Sequence, residues 1–424
     1  ILRRMSLIAH EFGDAVLVGS SHDADTLRIR EFLTRNGHPH TALDVESDPS
    51  VQALLDRFQV GVRDVPLVIC HGKFVLKNPT NQELADCLGI GAPLDGERLY
   101  DLVVVGAGPA GLAAAVYGAS EGLSVLVLES SAPGGQAGSS SKIENYLGFP
   151  TGISGEALAG RALTQAQKFG AEVAVARRAV RLRCEGQPYR IELDDGAEVR
   201  CRSIIIATGA RYRKLPLPEL HRYEGAGVYY GATQVEAQLC GDSEVAIVGG
   251  GNSAGQAAVF LSRRVRHVHV VVRGEGLADT MSRYLIRRIE ESPQITLRSR
   301  TQIVELLGEG CLERLRWRDE RAGRVEEREV PHLFLMTGAS PNTGWLDGCL
   351  ALDDKGFVRT GADLSPDELA AARWPLARAP QLLETSRPGV FAVGDVRSAS
   401  VKRVASAVGE GSICVSLVHR YLAA

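Results

Sequence analysis

The sequence predicts an α/β protein, and three observations carry that prediction. The stretch "DLVVVGAGPAGLAAAVYGASEGLSVLVLES", starting at Asp101, reads as a buried strand, a glycine turn, a small-residue helix and a second strand. "SEVAIVGGGNSAGQAAVFLSRRVRHVHVVVR", starting at Ser243, repeats the same plan. Ahead of both, residues 1–90 alternate short strand-like and helix-like runs.

At 424 residues the chain exceeds one ordinary core, and roughly two to four domains are expected. Its 45% hydrophobic and 23% charged residues are those of a globular protein. Lys and Arg number 48 against 51 Asp and Glu, a net charge of −3, which points to no nucleic-acid or membrane partner. No apolar run approaches the ~20 residues of a membrane-spanning helix, and no signal peptide is visible. The chain starts at Ile1 and not at Met, so a fragment, processed or truncated, is expected. Eight cysteines stand at 70, 87, 184, 201, 240, 311, 349 and 414, with neither Cys-x-x-Cys nor metal-ligand spacing. They read as solitary core residues of a cytoplasmic protein kept reduced, and no metal site is expected.

Taken in order, Ala15–Val18 is a strand, "GSSHD" a loop, and Leu27, Phe32 and Leu33 lie on a helix. A second strand ends at Asp44, and a helix after Pro49 carries Val51, Leu54, Leu55 and Phe58 on one face. "VRDVPLVICHGKFVLKN" holds two strands hinged at His71–Gly72, a helix runs from about Asn81 to Leu88, and "GIGAPLDGER" is a linker. This order resembles thioredoxin or glutaredoxin, with Val65–Pro66 where those folds keep a cis-proline. The dithiol that the resemblance implies near Ser20–Ser21–His22–Asp23 is absent, and His22 reads as a solvated residue near a helix start, with a redox-site relic or a ligand as the alternatives.

In the first repeat Gly106 permits the tight turn, Gly108 lets backbone amides reach a pyrophosphate, and Gly111 lets the helix pack on the strand. Glu129, 23 residues beyond Gly106, ends the second strand where an acid accepts from a ribose hydroxyl. In the second repeat Gly249, Gly251 and Ala254 fill the same places, and Arg273, 24 residues beyond Gly249, replaces the acid. An arginine pairs with a 2′-phosphate that an acid would repel, which favours NADPH; the alternative is a solvated arginine after a strand. Two such units imply two nucleotides. "IIIATGARYRKLP" ends a strand at Ala207-Thr208-Gly209, where the chain crosses between domains, and "PHLFLMTGASPNT" returns it. Gly394–Asp395 follows an apolar strand, and a helix starts near Val404. Basic stretches such as "ARRAVRLR" at 176–183 and "RRVRH" at 263–267 read as solvated edges.

Residues 100–424 resemble the low-molecular-weight thioredoxin reductases along nearly their whole length. The resemblance implies that FAD is held by Gly106, Gly108, Pro109, Ala110, Gly111, Glu129, Gly135, Gln136, Asn145, Ala207, Thr208, Gly209, Gly394 and Asp395, with Lys402, Arg403 and Val404 beside the flavin. Gly249, Gly251, Asn252, Ser253, Ala254 and Arg273 are implied for NADPH, with NADH as the alternative. The chain also resembles bacterial fusions in which a degenerate thioredoxin-like domain precedes the reductase and a cyclic-nucleotide-binding or receiver domain often lies further upstream. The implied organisation is a thioredoxin-like domain at 1–90, an FAD domain at 99–212 and 344–424, and an NAD(P)H domain at 213–343. A homodimer is implied as well.

The departures decide the functional expectation. The family's redox Cys-x-x-Cys is Gly231, Ala232, Thr233 and Gln234 here, and the 2′-phosphate cluster His-Arg-Arg is Val272-Arg273-Gly274, with Arg283 as a second charge. The expected activity is hydride transfer from NAD(P)H to FAD and onward to an acceptor without an internal dithiol. Thioredoxin, ferredoxin and quinone-like molecules are the candidate acceptors. The competing expectation is a redox- or nucleotide-sensing flavoprotein coupled to an upstream signalling domain.

Overall fold

A computed structural model of the chain describes residues 15–20, 22–48, 51, 55–56, 64–140, 143, 146–232, 234–278, 280–346 and 348–424. The first elements are β1 (Ala15–Gly19), α1 (Ala24–Arg35), β2 (His40–Asp44), β3 (Leu67–Cys70), β4 (Phe74–Lys77) and α2 (Asn81–Leu88). Next come β5 (Leu99–Val105), α3 (Pro109–Ser120), β6 (Val125–Glu129), α4 (Gly135–Gly138) and α5 (Gly155–Lys168). The strands β7 (Glu172–Val175), β8 (Ala179–Arg183), β9 (Tyr189–Leu193) and β10 (Glu198–Ile206) follow.

After β11 (Ala210–Tyr212) and β12 (Val228–Tyr229) the chain forms α6 (Gln234–Cys240), β13 (Glu244–Val248), α7 (Asn252–Leu261), β14 (His267–Val271) and α8 (Arg283–Glu290). Then come β15 (Ile295–Arg298), β16 (Thr301–Leu307), β17 (Arg314–Asp319), β18 (Arg324–Arg328), β19 (His332–Leu335) and β20 (Ala339–Pro341). The last elements are α9 (Pro366–Ala371), β21 (Val390–Ala392) and α10 (Val404–Leu422).

Two compact units result, one of residues 1–148, 152–209 and 341–424, the other of 149–151 and 210–340. Within the first, the N-terminal strands form a sheet in the order β2-β1-β3-β4. β2 runs parallel to β1, and β3 and β4 are antiparallel to their neighbours. Asp23 caps α1, its carboxylate accepting from the Thr26 amide at 2.8 Å. Leu27, Phe32 and Leu33 all lie on α1 as expected; the helix buries Ile29, Phe32 and Leu33, while Leu27 is 39% exposed. Two residues before Ile29 it points to roughly the opposite side of a 3.6-residue turn. Val51 and Leu55 are buried as expected, while Pro49, Leu54 and Phe58 lie outside the described residues. A reciprocal capping box between Thr80 and Glu83 starts α2, and Gly89 ends it.

The larger sheet of this unit runs β7-β6-β5-β10-β9-β8, with β21 pairing β10. β5, β6, β7, β21 and the C-terminal half of β10 are parallel, so their C-terminal ends share one edge. β8 and β9 pair as an antiparallel extension on the N-terminal half of β10. The second unit has a parallel sheet, β12-β19-β13-β14-β15, and a separate antiparallel sheet, β16-β17-β18. Among the described residues no helix is long and apolar enough to cross a membrane.

"GIGAPLDGER", read as a linker, lies along β7: the Ala92 amide donates to the Val173 carbonyl at 2.7 Å. Arg177, read as part of a solvated edge, has a side chain only 12% exposed that bridges Asp86 at 2.6 Å and Asp195 at 2.9 Å. A nearby acid on a distant helix recruited it, which a local charge pattern does not show.

Candidate nucleotide and redox sites

The first site is the turn between β5 and α3. Gly106 has φ +105°, and a Cβ there would stand 2.5 Å from the Ala207 carbonyl oxygen, so only glycine allows this turn beside β10. Gly111 packs still closer, since an added Cβ would lie 1.9 Å from the Gly106 oxygen. α3 starts at Pro109 with Gly108 as cap and no side-chain cap bond. No side chain caps its first-turn amides, which leaves them available to a phosphate. Ala110 is buried behind them. Gly134, whose amide donates to the Ala107 oxygen at 2.7 Å, brings Gly135 and Gln136 of α4 against the same turn.

Glu129 ends β6, 8% exposed, and its two oxygens accept from the amides of Ala107 and Ser131, each at 2.9 Å. Burial pushes this carboxyl up, while the Ala107 and Ser131 amides and the charge of Arg35 pull the other way. Ribose hydroxyls would add the donors that a buried carboxylate needs. Thr208 and Asn342 exchange bonds where the chain leaves and re-enters the unit, Oγ1 to carbonyl at 2.9 Å and Nδ2 to carbonyl at 2.7 Å. Gly209 follows directly. Asn145 lies outside the described residues.

Gly394–Asp395 follows β21 and sits on the start of α3. No protein side chain or amide bonds the Asp395 carboxylate among the described residues; burial raises its pKa, and Lys402 opposes the shift. Lys402 Nζ donates to the Asp395 carbonyl at 3.2 Å, Arg403 caps α10, and Val404 begins it. Sequence reasoning missed Glu410 and Arg397. Glu410 accepts from the Gly394 amide and pairs with Arg397, both at 2.6 Å, which fixes the turn before Asp395. An acid six residues into a helix carries no local signal of that role.

The second site repeats the pattern in the other unit. Gly249 has φ +148°, and a Cβ would meet the Met336 oxygen at 2.5 Å. Gly251 caps α7 without a side-chain bond, Asn252 and Ser253 open the helix, and Ala254 is buried. The Ser282 amide donates to Asn252 Oδ1 at 2.7 Å, and Thr280 Oγ1 donates to the Gly250 carbonyl at 2.8 Å. Arg273 stands two residues past β14, exposed, with no partner among the described residues. Neighbouring Glu275 is occupied by Arg300. Arg283 is exposed at the first position of α8.

Where a dithiol was implied, Gly231 is exposed with open space at its Cβ position, Ala232 is half-buried against the core of its unit, and Gln234 starts α6. Thr233 lies outside the described residues. Cys240, the nearest sulfur in sequence, is 1% exposed, and burial pushes its thiol up to about 12. A thiol so protonated is a poor nucleophile.

One expectation is overturned: the cysteines are not all solitary. Cys184, just past β8, and Cys349 are joined as a disulfide with their Cα atoms 6.0 Å apart. They are separated by 165 residues, a stretch that includes residues 210–340 of the second unit, so no spacing rule reveals the pair. The other six cysteines are free.

Residues 100–411 match the family described as pyridine nucleotide-disulphide oxidoreductase. The chain is 30% identical to thioredoxin reductase of Bacillus subtilis over 327 residues, covering 77% of this chain and 96% of that one. It is 31% identical to NADPH-dependent thioredoxin reductase 3 of Arabidopsis thaliana over 368 residues, which span 83% of this chain but only 65% of the plant protein. Among solved structures, thioredoxin reductase from Streptococcus pyogenes superposes with a TM-score of 0.67 at 30% identity, over 76% of this chain and 98% of that one. Two glycine-turn nucleotide cradles in two units, matched over most of the chain, lead to one conclusion: the protein belongs to the pyridine nucleotide-disulphide oxidoreductase family and is a flavin-dependent oxidoreductase of the thioredoxin reductase type, with FAD and NADPH as cofactors.

Proposed function

We propose that the chain draws a hydride from NADPH, with NADH as the alternative donor, and delivers electrons to an external acceptor without an internal dithiol. The observation that carries this reading is the pairing of two built nucleotide cradles with a sulfur-free segment at 231–234. FAD, when bound, accepts the hydride and passes on its electrons. The protein's part is position and charge. The α3 amides hold a pyrophosphate, Glu129 accepts from ribose hydroxyls, and Asp395 accepts from a ribityl hydroxyl. The N-terminus of α10, at Val404, would offer its partial positive charge to the electron-rich end of a bound flavin, and Arg273 would pair with the 2′-phosphate of NADPH.

Under this reading 99–212 and 344–424 form the FAD domain and 213–343 the NAD(P)H domain. Residues 1–90 are a thioredoxin-like domain, a reading supported by the sheet order β2-β1-β3-β4 and the cis Val65–Pro66 bond. Without cysteine at 20–23 that domain does no thiol chemistry of the thioredoxin kind. The two electrons of each hydride leave to two equivalents of a one-electron carrier such as ferredoxin, to one quinone-like molecule or to a docked partner, from a cytoplasmic homodimer.

The test is anaerobic titration with NADPH and NADH, then turnover with ferredoxin, a quinone, thioredoxin and an aromatic disulfide. Turnover above about 1 per second with the quinone or ferredoxin supports an enzyme. Brisk disulfide reduction that vanishes when all eight cysteines become serine would overturn the dithiol-free route. The sulfur-free segment also favours a second reading, a sensor of redox or nucleotide state serving an upstream signalling domain, which would be reduced without turning over any acceptor.

A further inference from the structure

We propose that the N-terminal segment forms the adenosine-side wall of the first nucleotide site, with Arg35 and Asn36 at the end of α1 positioning Glu129 and the ribose it serves. The proposal rests on the reading that FAD occupies the Gly106–Glu129 unit.

A chain of hydrogen bonds leads from α1 to the acid. Asn36 Nδ2 donates to the Ser131 carbonyl at 3.2 Å and to the Phe32 carbonyl at 2.8 Å. The Ser131 amide in turn donates to Glu129 Oε1 at 2.9 Å. The Arg35 guanidinium, next in sequence, acts on the same carboxylate and favours its ionised form. Arg35 also lies 3.7 Å from Glu31, an exposed acid that leaves most of its donors free. A carboxylate held through Ser131 and Asn36 and feeling the charge of a guanidinium is suited to the paired hydroxyls of a ribose, the acid accepting and the arginine donating.

The segment is also locked in place. Leu84, Ala85 and Leu88 of α2 belong to one continuous apolar core with Val173 and Val175 of β7. Arg177 ties Asp86 of α2 to Asp195 at 2.6 and 2.9 Å, and Gln82 Nε2 donates to Asp195 at 2.8 Å. A swing of the N-terminal segment as a body away from Glu129 would expose that core and break these α2 bonds together. The segment therefore serves as a built part of the cofactor site and not as a swinging carrier.

The test compares FAD with FMN, which lacks the adenosine, in titrations of flavin-stripped full-length protein followed by flavin fluorescence. Arg35→Ala is expected to weaken FAD about ten- to a hundred-fold, the range of one charge-assisted bond, with FMN affinity unchanged. Arg35→Lys is expected to keep most of the FAD affinity. Unchanged FAD affinity in Arg35→Ala, or equal weakening of FAD and FMN, would overturn the proposal. If FMN binds too weakly to titrate, Arg35→Ala against Arg35→Lys on FAD alone decides it. Wild-type protein that takes up no FAD would instead overturn the underlying assignment of the site, and this proposal with it.

Discussion

Replacing Gly111 by alanine sets two physical effects against each other. Gly111 is the third residue of α3, and alanine in a helix is normally favoured over glycine by about 1 kcal/mol. Here the new Cβ would stand 1.9 Å from the Gly106 carbonyl oxygen and 3.3 Å from the Ala207 side chain, against an ordinary contact of 3.4–4 Å. The nearer atom is backbone, in the turn that β10 also presses, so it cannot rotate away. α3 must lift by roughly the 1.5 Å shortfall, loosening buried Leu112, Ala114 and Ala115. Overpacking of this kind costs about 1–3 kcal/mol, which exceeds the propensity gain. Less the propensity gain, the expected net loss of up to about 2 kcal/mol lowers the melting temperature by a few degrees. It also displaces the α3 amides, so the dialysed variant should retain less flavin by absorbance at the visible band. Gly160→Ala in α5 is the control: nothing lies within 4 Å of its Cβ, so about 0.5–1 kcal/mol of stabilisation is expected. A Gly111→Ala protein as yellow as wild type and melting no lower would refute the reasoning.

Three further outcomes are expected. Arg273→Ala should lower the preference for NADPH over NADH about ten- to a hundred-fold, measured as the ratio of the two dissociation constants; an unchanged ratio would mean the arginine is merely solvated. Asp395, raised by burial, contributes stability that is present in acid and is lost as pH rises through its raised pKa. Asp395→Asn apoprotein should therefore melt higher than wild type near pH ~7, with the gap closing toward pH ~3–4, while binding FAD more weakly; a lower melting point at neutral pH would count against the site. Cys184→Ser removes a cross-link spanning 165 residues, for which chain entropy sets an upper value of about 5 kcal/mol. Wild type should melt lower under reductant and the variant should not respond; a wild type indifferent to reductant would show that the bond does not contribute.

What the sequence determined by itself was whatever local sterics dictate. A turn as tight as that at Gly106 admits only glycine, so the two nucleotide cradles announce themselves, and Glu129 and Arg273 follow by counting along a strand and a helix. The helix from about Asn81 to Leu88 and the hinge at His71–Gly72 are equally local. What only the tertiary structure decided joins residues far apart in the chain. The Cys184–Cys349 bond spans 165 residues, and Glu410 reaches back to the Gly394 amide. Arg177 meets Asp86, and Asn36 reaches the Ser131 carbonyl beside Glu129. Each of these contacts depends on how sheets and helices stack, and stacking is set by the whole apolar core, not by the few residues around either partner. The same division explains the segment at 231–234: its missing sulfur is plain in the sequence, but that Cys240 cannot replace it follows only from the burial that holds that thiol protonated.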